Sequence, residues 1–114
     1  MDTPALLLSP AEIARVLTPE IAIRSQELAF TSLGERRVEQ PPRTLLPGPD
    51  DSIAYCYTNR LSADGPAVTK FGSVNPRNTA RGMSSVSAVI TILDPVTGRP
   101  SAIMDGVAVT TLRT

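Results

Sequence analysis

The chain has 114 residues, with eleven Lys or Arg against eleven Asp or Glu, so its formal net charge is zero. That balance argues against a charge-driven nucleic-acid binder, and the four aromatic residues argue against a base-stacking platform. The absence of His and the single Cys remove the usual general base, any Ser/His or Cys/His pair, an intrachain disulfide and a Cys-rich zinc site.

The N-terminal apolar run at residues 5–8 is too short for a membrane span and lacks the basic flank of a signal peptide, so a cytoplasmic protein with no membrane partner is expected. Ser9, Pro10 and Glu12 have the order of a capping box, and Ile13, Val16 and Leu17 follow at helical spacing. Thr18-Pro19-Glu20 opens a second helix over residues 19–33. Its stripe is Ile21, Ser25, Leu28, Ser32 and Leu33, with Ala29 beside it and Gly34 as the stop. Pro41, Pro42, Pro47 and Pro49 then exclude a helix and hold residues 43–46 extended.

From Ser52 the pattern turns to β structure. Residues 52–58 carry Ile53, Tyr55 and Tyr57 at alternate positions, and residues 67–74 form a second strand with Lys70 and Phe71. Asn75-Pro76-Arg77-Asn78 is a turn-rich loop. Residues 85–93 form the clearest strand, apolar on both sides over 89–93 as a strand covered on both faces would be. Asp94-Pro95-Val96-Thr97-Gly98 suits a hairpin loop, and residues 99–104 return. Asp105-Gly106 turns again, and a new element opens at Val107. The fold class expected is α+β, with two N-terminal helices packed on a mostly antiparallel sheet, in one domain over residues 1–114.

Of standard catalytic signatures, neither a dinucleotide-binding glycine fingerprint nor a phosphate-binding P-loop is present. Cys56 lies inside a strand and reads as a small buried hydrophobe. What remains is a scattered cationic set: Arg43, Lys70 (the one Lys of the chain), Arg81 and Arg113. An Arg fork and a Lys point charge both suit a carboxylate, although residue type alone reads each as a solvated charge.

A series of short words occurs in a particular order: Gln40-Pro41-Pro42-Arg43-Thr44, Thr69-Lys70-Phe71, Asn75-Pro76-Arg77-Asn78-Thr79-Ala80-Arg81-Gly82, Leu93-Asp94-Pro95-Val96-Thr97-Gly98-Arg99-Pro100, Met104-Asp105-Gly106 and Thr111-Leu112-Arg113-Thr114. In that order and spacing the chain resembles the ornithine cyclodeaminase/mu-crystallin family along essentially its whole length. The resemblance implies a substrate-binding and dimerisation segment that precedes a Rossmann domain for NAD(P), with the family's cofactor loop and catalytic aspartate lying beyond Thr114. It implies that Arg43, Lys70 and Arg113 hold a substrate carboxylate. Ser85 and Thr114 would lie near the cofactor. Relatives act on small α-amino or α-imino acids as cyclodeaminases, ketimine reductases or amino-acid dehydrogenases. Ornithine-specific members carry a Glu in the strand matched to residues 52–58, where this chain has Tyr55 and no acid.

Four expectations follow. The 114-residue chain is a homodimer, or else a poorly soluble, loosely packed species. It does not bind NAD(P) tightly and is inactive alone. Arg43, Lys70 and Arg113 converge on one pocket. Arg81 and Arg99 are solvated. The alternative is a non-catalytic dimerising module or a truncated gene product.

Overall fold

The computed structural model describes residues 5–38 and 40–113, with the side chains of Leu112 and Arg113 outside the description. Six strands form one sheet in the order β1-β6-β5-β4-β3-β2. They are β1 (Leu6–Leu8), β2 (Thr44–Pro47), β3 (Ile53–Asn59), β4 (Val68–Val74), β5 (Val86–Leu93) and β6 (Pro100–Asp105). Neighbours run antiparallel except β1, which adds to β6 in parallel. The α-helices are α1 (Pro10–Val16), α2 (Pro19–Gly34) and α3 (Gly106–Arg113), and the segment expected as a turn-rich loop winds into a 3-10 helix over Pro76–Arg81, capped by Asn75. The α+β class and the mostly antiparallel sheet are therefore as expected, and the four strands named from periodicity all form within a residue or so of their expected ends.

Two strands had no periodic signal. β1 is three leucines whose partners, Ala102 to Met104, lie at the far end of the chain. β2 is the extended, proline-bounded segment, and pairing with β3 turns it into a strand.

The helices start where the caps predict. Ser9 Oγ accepts from the Glu12 amide while Glu12 accepts from the Ser9 amide, closing the capping box on α1. Thr18 caps α2 by accepting from the Ile21 amide. The stop of α2 differs from expectation. Gly34 stays helical, Glu35 is the C-cap, and Arg36 takes the left-handed conformation at φ 58°. The Arg37 amide then donates to Ser32 and the Arg36 amide to Leu33, the two bonds of a Schellman end.

Of the expected stripe of α2, Ser32 alone is buried. Ala22 and Ser32 are its buried residues, whereas Ile21, Leu28 and Leu33 stay exposed. Small side chains allow close approach to α3, the helix that α2 packs against. Thus α2 reaches the sheet through α3, while α1 touches both β6 and α3.

The helix that lies on the sheet is α3, over β5. Expected only as a turn and an opening element, it begins at buried Gly106, and the Asp105 carboxylate accepts from the Ala108 amide at 3.0 Å to cap it. A Cβ on Gly106 would stand 2.7 Å from Ala88 Cβ, so glycine is what lets this helix start flush against β5. The covered face of the sheet carries the core: Tyr55, Ala88 and Ile90 are buried there, with Ile13 and Ala22 beneath the helices.

The opposite face is bare among the described residues. Val89 pairs directly with Phe71, and Phe71 with Cys56, so these side chains share that face. Leu7, Leu46, Phe71 and Val89 are 73%, 57%, 58% and 47% exposed across it. Cys56 is half-buried there, with its Sγ 3.3 Å from Thr69 Oγ1, rather than sealed in a core.

Candidate functional site

The site is built on the covered face by strand register. Alternation in β3 puts Tyr55 and Tyr57 on one side of the sheet. Tyr57 pairs with Lys70 on β4, and Lys70 with Ile90 on β5, which places the lysine on that same side. The two tyrosine rings stack with centroids 4.7 Å apart. The Lys70 ammonium stands 5.8 Å from the Tyr55 ring centroid, and its Nζ donates to Thr110 Oγ1 on α3. The Arg43 guanidinium, arriving from the proline-bounded entry to β2, lies 4.8 Å from the Tyr57 centroid. Both cations are thus gathered on one tyrosine pair although 27 positions separate them in the chain.

Beside Lys70 is a cavity of about 150 Å³. Its walls are Tyr57, Asn59, Val68, Ile90, Val109 and Thr110, none of them acidic. Lys70, which lines the cavity, is half-buried, and Arg43 is exposed, joined to the cavity wall through its contact with Tyr57. A positive corner beside walls of Val68, Ile90 and Val109, with Asn59 and Thr110 as neutral polar groups, suits a small molecule that carries one anionic end.

Of the other expected site residues, Ser85 is half-buried immediately before β5, and its carbonyl accepts from the Asn75 amide at 2.7 Å. Arg113 belongs to α3, one turn beyond Thr110, but its side chain lies outside the described residues, and so does Thr114 altogether. Arg81 and Arg99 are exposed, as expected of controls, and Arg81 donates to Asn78 at 3.0 Å. Sequence reasoning missed Thr110 and gave the tyrosines no role. The alternation of Tyr55 and Tyr57 was the available signal; the docking of α3, which brings Thr110 in, left none.

A nicotinamide dinucleotide needs a cradle for its pyrophosphate, commonly free amides at a helix N-terminus. The described helix starts do not fit. Ser9 and Glu12 close α1, Thr18 caps α2 with Glu20 in its first turn, and the Asp105 carboxylate occupies α3. Each of these three starts already donates to a side-chain oxygen and has an acidic residue within its first turn or at its cap, while the short 3-10 helix over Pro76–Arg81 is capped by Asn75, which accepts from the Arg77 amide.

The sequence profile of the ornithine cyclodeaminase/mu-crystallin family matches residues 5–114. The chain belongs to that family. Within the family it is 30% identical to the iminosuccinate reductase of Paracoccus denitrificans over 112 residues, covering 96% of this chain and 34% of the reductase. It is 27% identical to the alanine dehydrogenase of Archaeoglobus fulgidus, covering 96% of this chain and 33% of that one. The fold superposes on Thermococcus litoralis Δ1-pyrroline-2-carboxylate reductase, solved with NADH and L-proline, with a TM-score of 0.88 and 31% identity over 95% of this chain and 34% of that chain. The chain therefore spans about a third of the length of the family members it matches. No helix among the described residues is long and apolar enough to cross a membrane.

Proposed function

We propose that this chain forms the substrate-carboxylate side of an NAD(P)-dependent oxidoreductase acting on small α-amino or α-imino acids. The observation that carries the reading is the gathering of Arg43 and Lys70 on the Tyr55–Tyr57 pair beside a small, non-acidic cavity. The reductases and the dehydrogenase it resembles support the reaction class. Arg43 offers a fork to one carboxylate oxygen and Lys70 a point charge to the other, and Arg113, whose side chain lies outside the described residues, is assigned the same task by family resemblance alone. Holding the carboxylate fixes the α-carbon, and orientation of that carbon is what a hydride donor or acceptor requires. The nicotinamide cofactor supplies the hydride chemistry. The residues described here hold its substrate, and Ser85 and Thr114 belong to its nicotinamide side. With an acid at or near the start of each of its three α-helices, this segment is expected to hold NADH only weakly by itself.

The same reading assigns the bare sheet face to a second copy of the chain. A relative solved with NAD is a dimer, matched at a TM-score of 0.87 and 26% identity over 96% of this chain. The exposed row of Leu46, Phe71, Val89 and Leu7 supplies the apolar surface such a contact needs.

The chain has two tyrosines and no Trp, and both tyrosines lie in the site, so tyrosine emission reports on it directly. Titration with L-alanine and L-proline is expected to change that emission saturably. Arg43→Ala and Lys70→Met are each expected to weaken the response about tenfold or more, the loss of one charge-assisted hydrogen bond. A wild-type protein that does not respond, or variants that respond as it does, would overturn the assignment.

A further inference from the structure

Arg43 enters the site from an exposed, proline-bounded segment, and an exposed arginine normally samples many rotamers. Here its guanidinium is laid over the Tyr57 ring, 4.8 Å from the centroid. That ring is itself held by stacking and by its place in the β3–β4 ladder. Tyr55, buried in the core, stacks against it at 4.7 Å, and Lys70 pairs with it across β3 and β4. Lys70 in turn reaches the Tyr55 ring and Thr110. The two cations thus rest on separate rings of one stacked pair.

Resting on the carboxylate reading above, we propose that Tyr57 is the positioning residue for Arg43, and that the stacked Tyr55–Tyr57 pair presets the spacing of the two cations before substrate arrives. The ring face attracts the guanidinium through its quadrupole and restricts its rotamers. The carboxylate then meets a fork already in place, and the ordering loss on binding is smaller. The phenol oxygen takes no part in this role, so the ring alone suffices.

The test compares wild type, Tyr57→Phe, Tyr57→Leu and Arg43→Ala by NMR, with L-proline as the probe. In wild type and Tyr57→Phe without ligand, the Arg43 δ protons are expected upfield of their random-coil position, shifted by the ring current. In Tyr57→Leu that shift vanishes and L-proline binds roughly three- to tenfold more weakly, the fold-change for releasing one rotamer-rich side chain. Arg43→Ala binds weakest. If Tyr57→Leu binds L-proline as wild type does while Arg43→Ala is weak, the carboxylate reading stands and the positioning role falls. If Arg43→Ala binds as wild type does, or wild type does not bind, the carboxylate reading falls and takes the proposal with it. Should the leucine variant not fold, wild type alone decides: Arg43 δ protons at their random-coil position in the folded protein would overturn the proposal.

Discussion

At Gly106 an added Cβ would lie 2.7 Å from Ala88 Cβ and 3.1 Å from the Ala88 carbonyl carbon and oxygen. Those are backbone and stub atoms that cannot swing aside. Gly106→Ala is therefore expected to lift α3 from β5, destabilising the fold by about 1–3 kcal/mol and pulling Thr110 away from Lys70. Thermal unfolding checks the first effect and the tyrosine titration the second; a substitution neutral in both would mean that α3 is not seated as described. The residues of the site were legible to different degrees. Arg43 and Lys70 stood out through the family words around them. Tyr55 and Tyr57 were visible as an alternating pair, but their service to two cations depends on the β3–β4 register. Thr110 depends on α3 lying over β5, a contact 40 positions from Lys70 that no local pattern encodes.

Among the elements, α2 ends on a residue poorly suited to its conformation. Arg36 sits at φ 58°, where a Cβ is penalised, so Arg36→Gly is expected to stabilise the protein by about 0.5–1 kcal/mol. Chemical denaturation checks it; destabilisation would show that the arginine side chain earns its place through contacts. The hairpin between β5 and β6 was readable from its loop residues because the stabilising bonds are local. One Asp94 oxygen accepts from the Val96 and Thr97 amides at 2.9 and 2.8 Å, and Gly98 takes φ 73°. The Thr97 and Val96 amides hold the Asp94 carboxyl below its ordinary value of 3.8. A carboxyl depressed by folding contributes stability above its unfolded value, and that contribution is lost as pH falls through the lower folded value. Protection of the Val96 and Thr97 amides, taken relative to the intrinsic exchange rate at each pH, is expected to be present at about pH 5 and to fall once the pH drops below the carboxyl's ordinary value of 3.8; protection that is unchanged down to about pH 2 would contradict the turn. What α2 buries was not readable, because its largest apolar side chains stay exposed while Ala22 and Ser32 face inward.

For the whole molecule, a sheet covered by α3 on one side leaves the Leu46, Phe71, Val89 and Leu7 face open. The need for cover on both sides of β5 was visible in its sequence, whereas the source of the first cover was not: α3 supplies it, and the N-terminal helices pack around that helix. Phe71→Lys and Val89→Lys are expected to convert an associated species into a monomer in sedimentation velocity without loss of helix content. A wild type that is already monomeric at all concentrations would remove the second copy from the account. A crystal structure of the chain with L-proline bound decides whether Arg43 and Lys70 grip a carboxylate. It is expected to show one carboxylate oxygen about 2.7–2.9 Å from the Arg43 guanidinium and the other at a similar distance from Lys70 Nζ, above the tyrosine pair. A carboxylate bound elsewhere, or one touching neither cation, would contradict it.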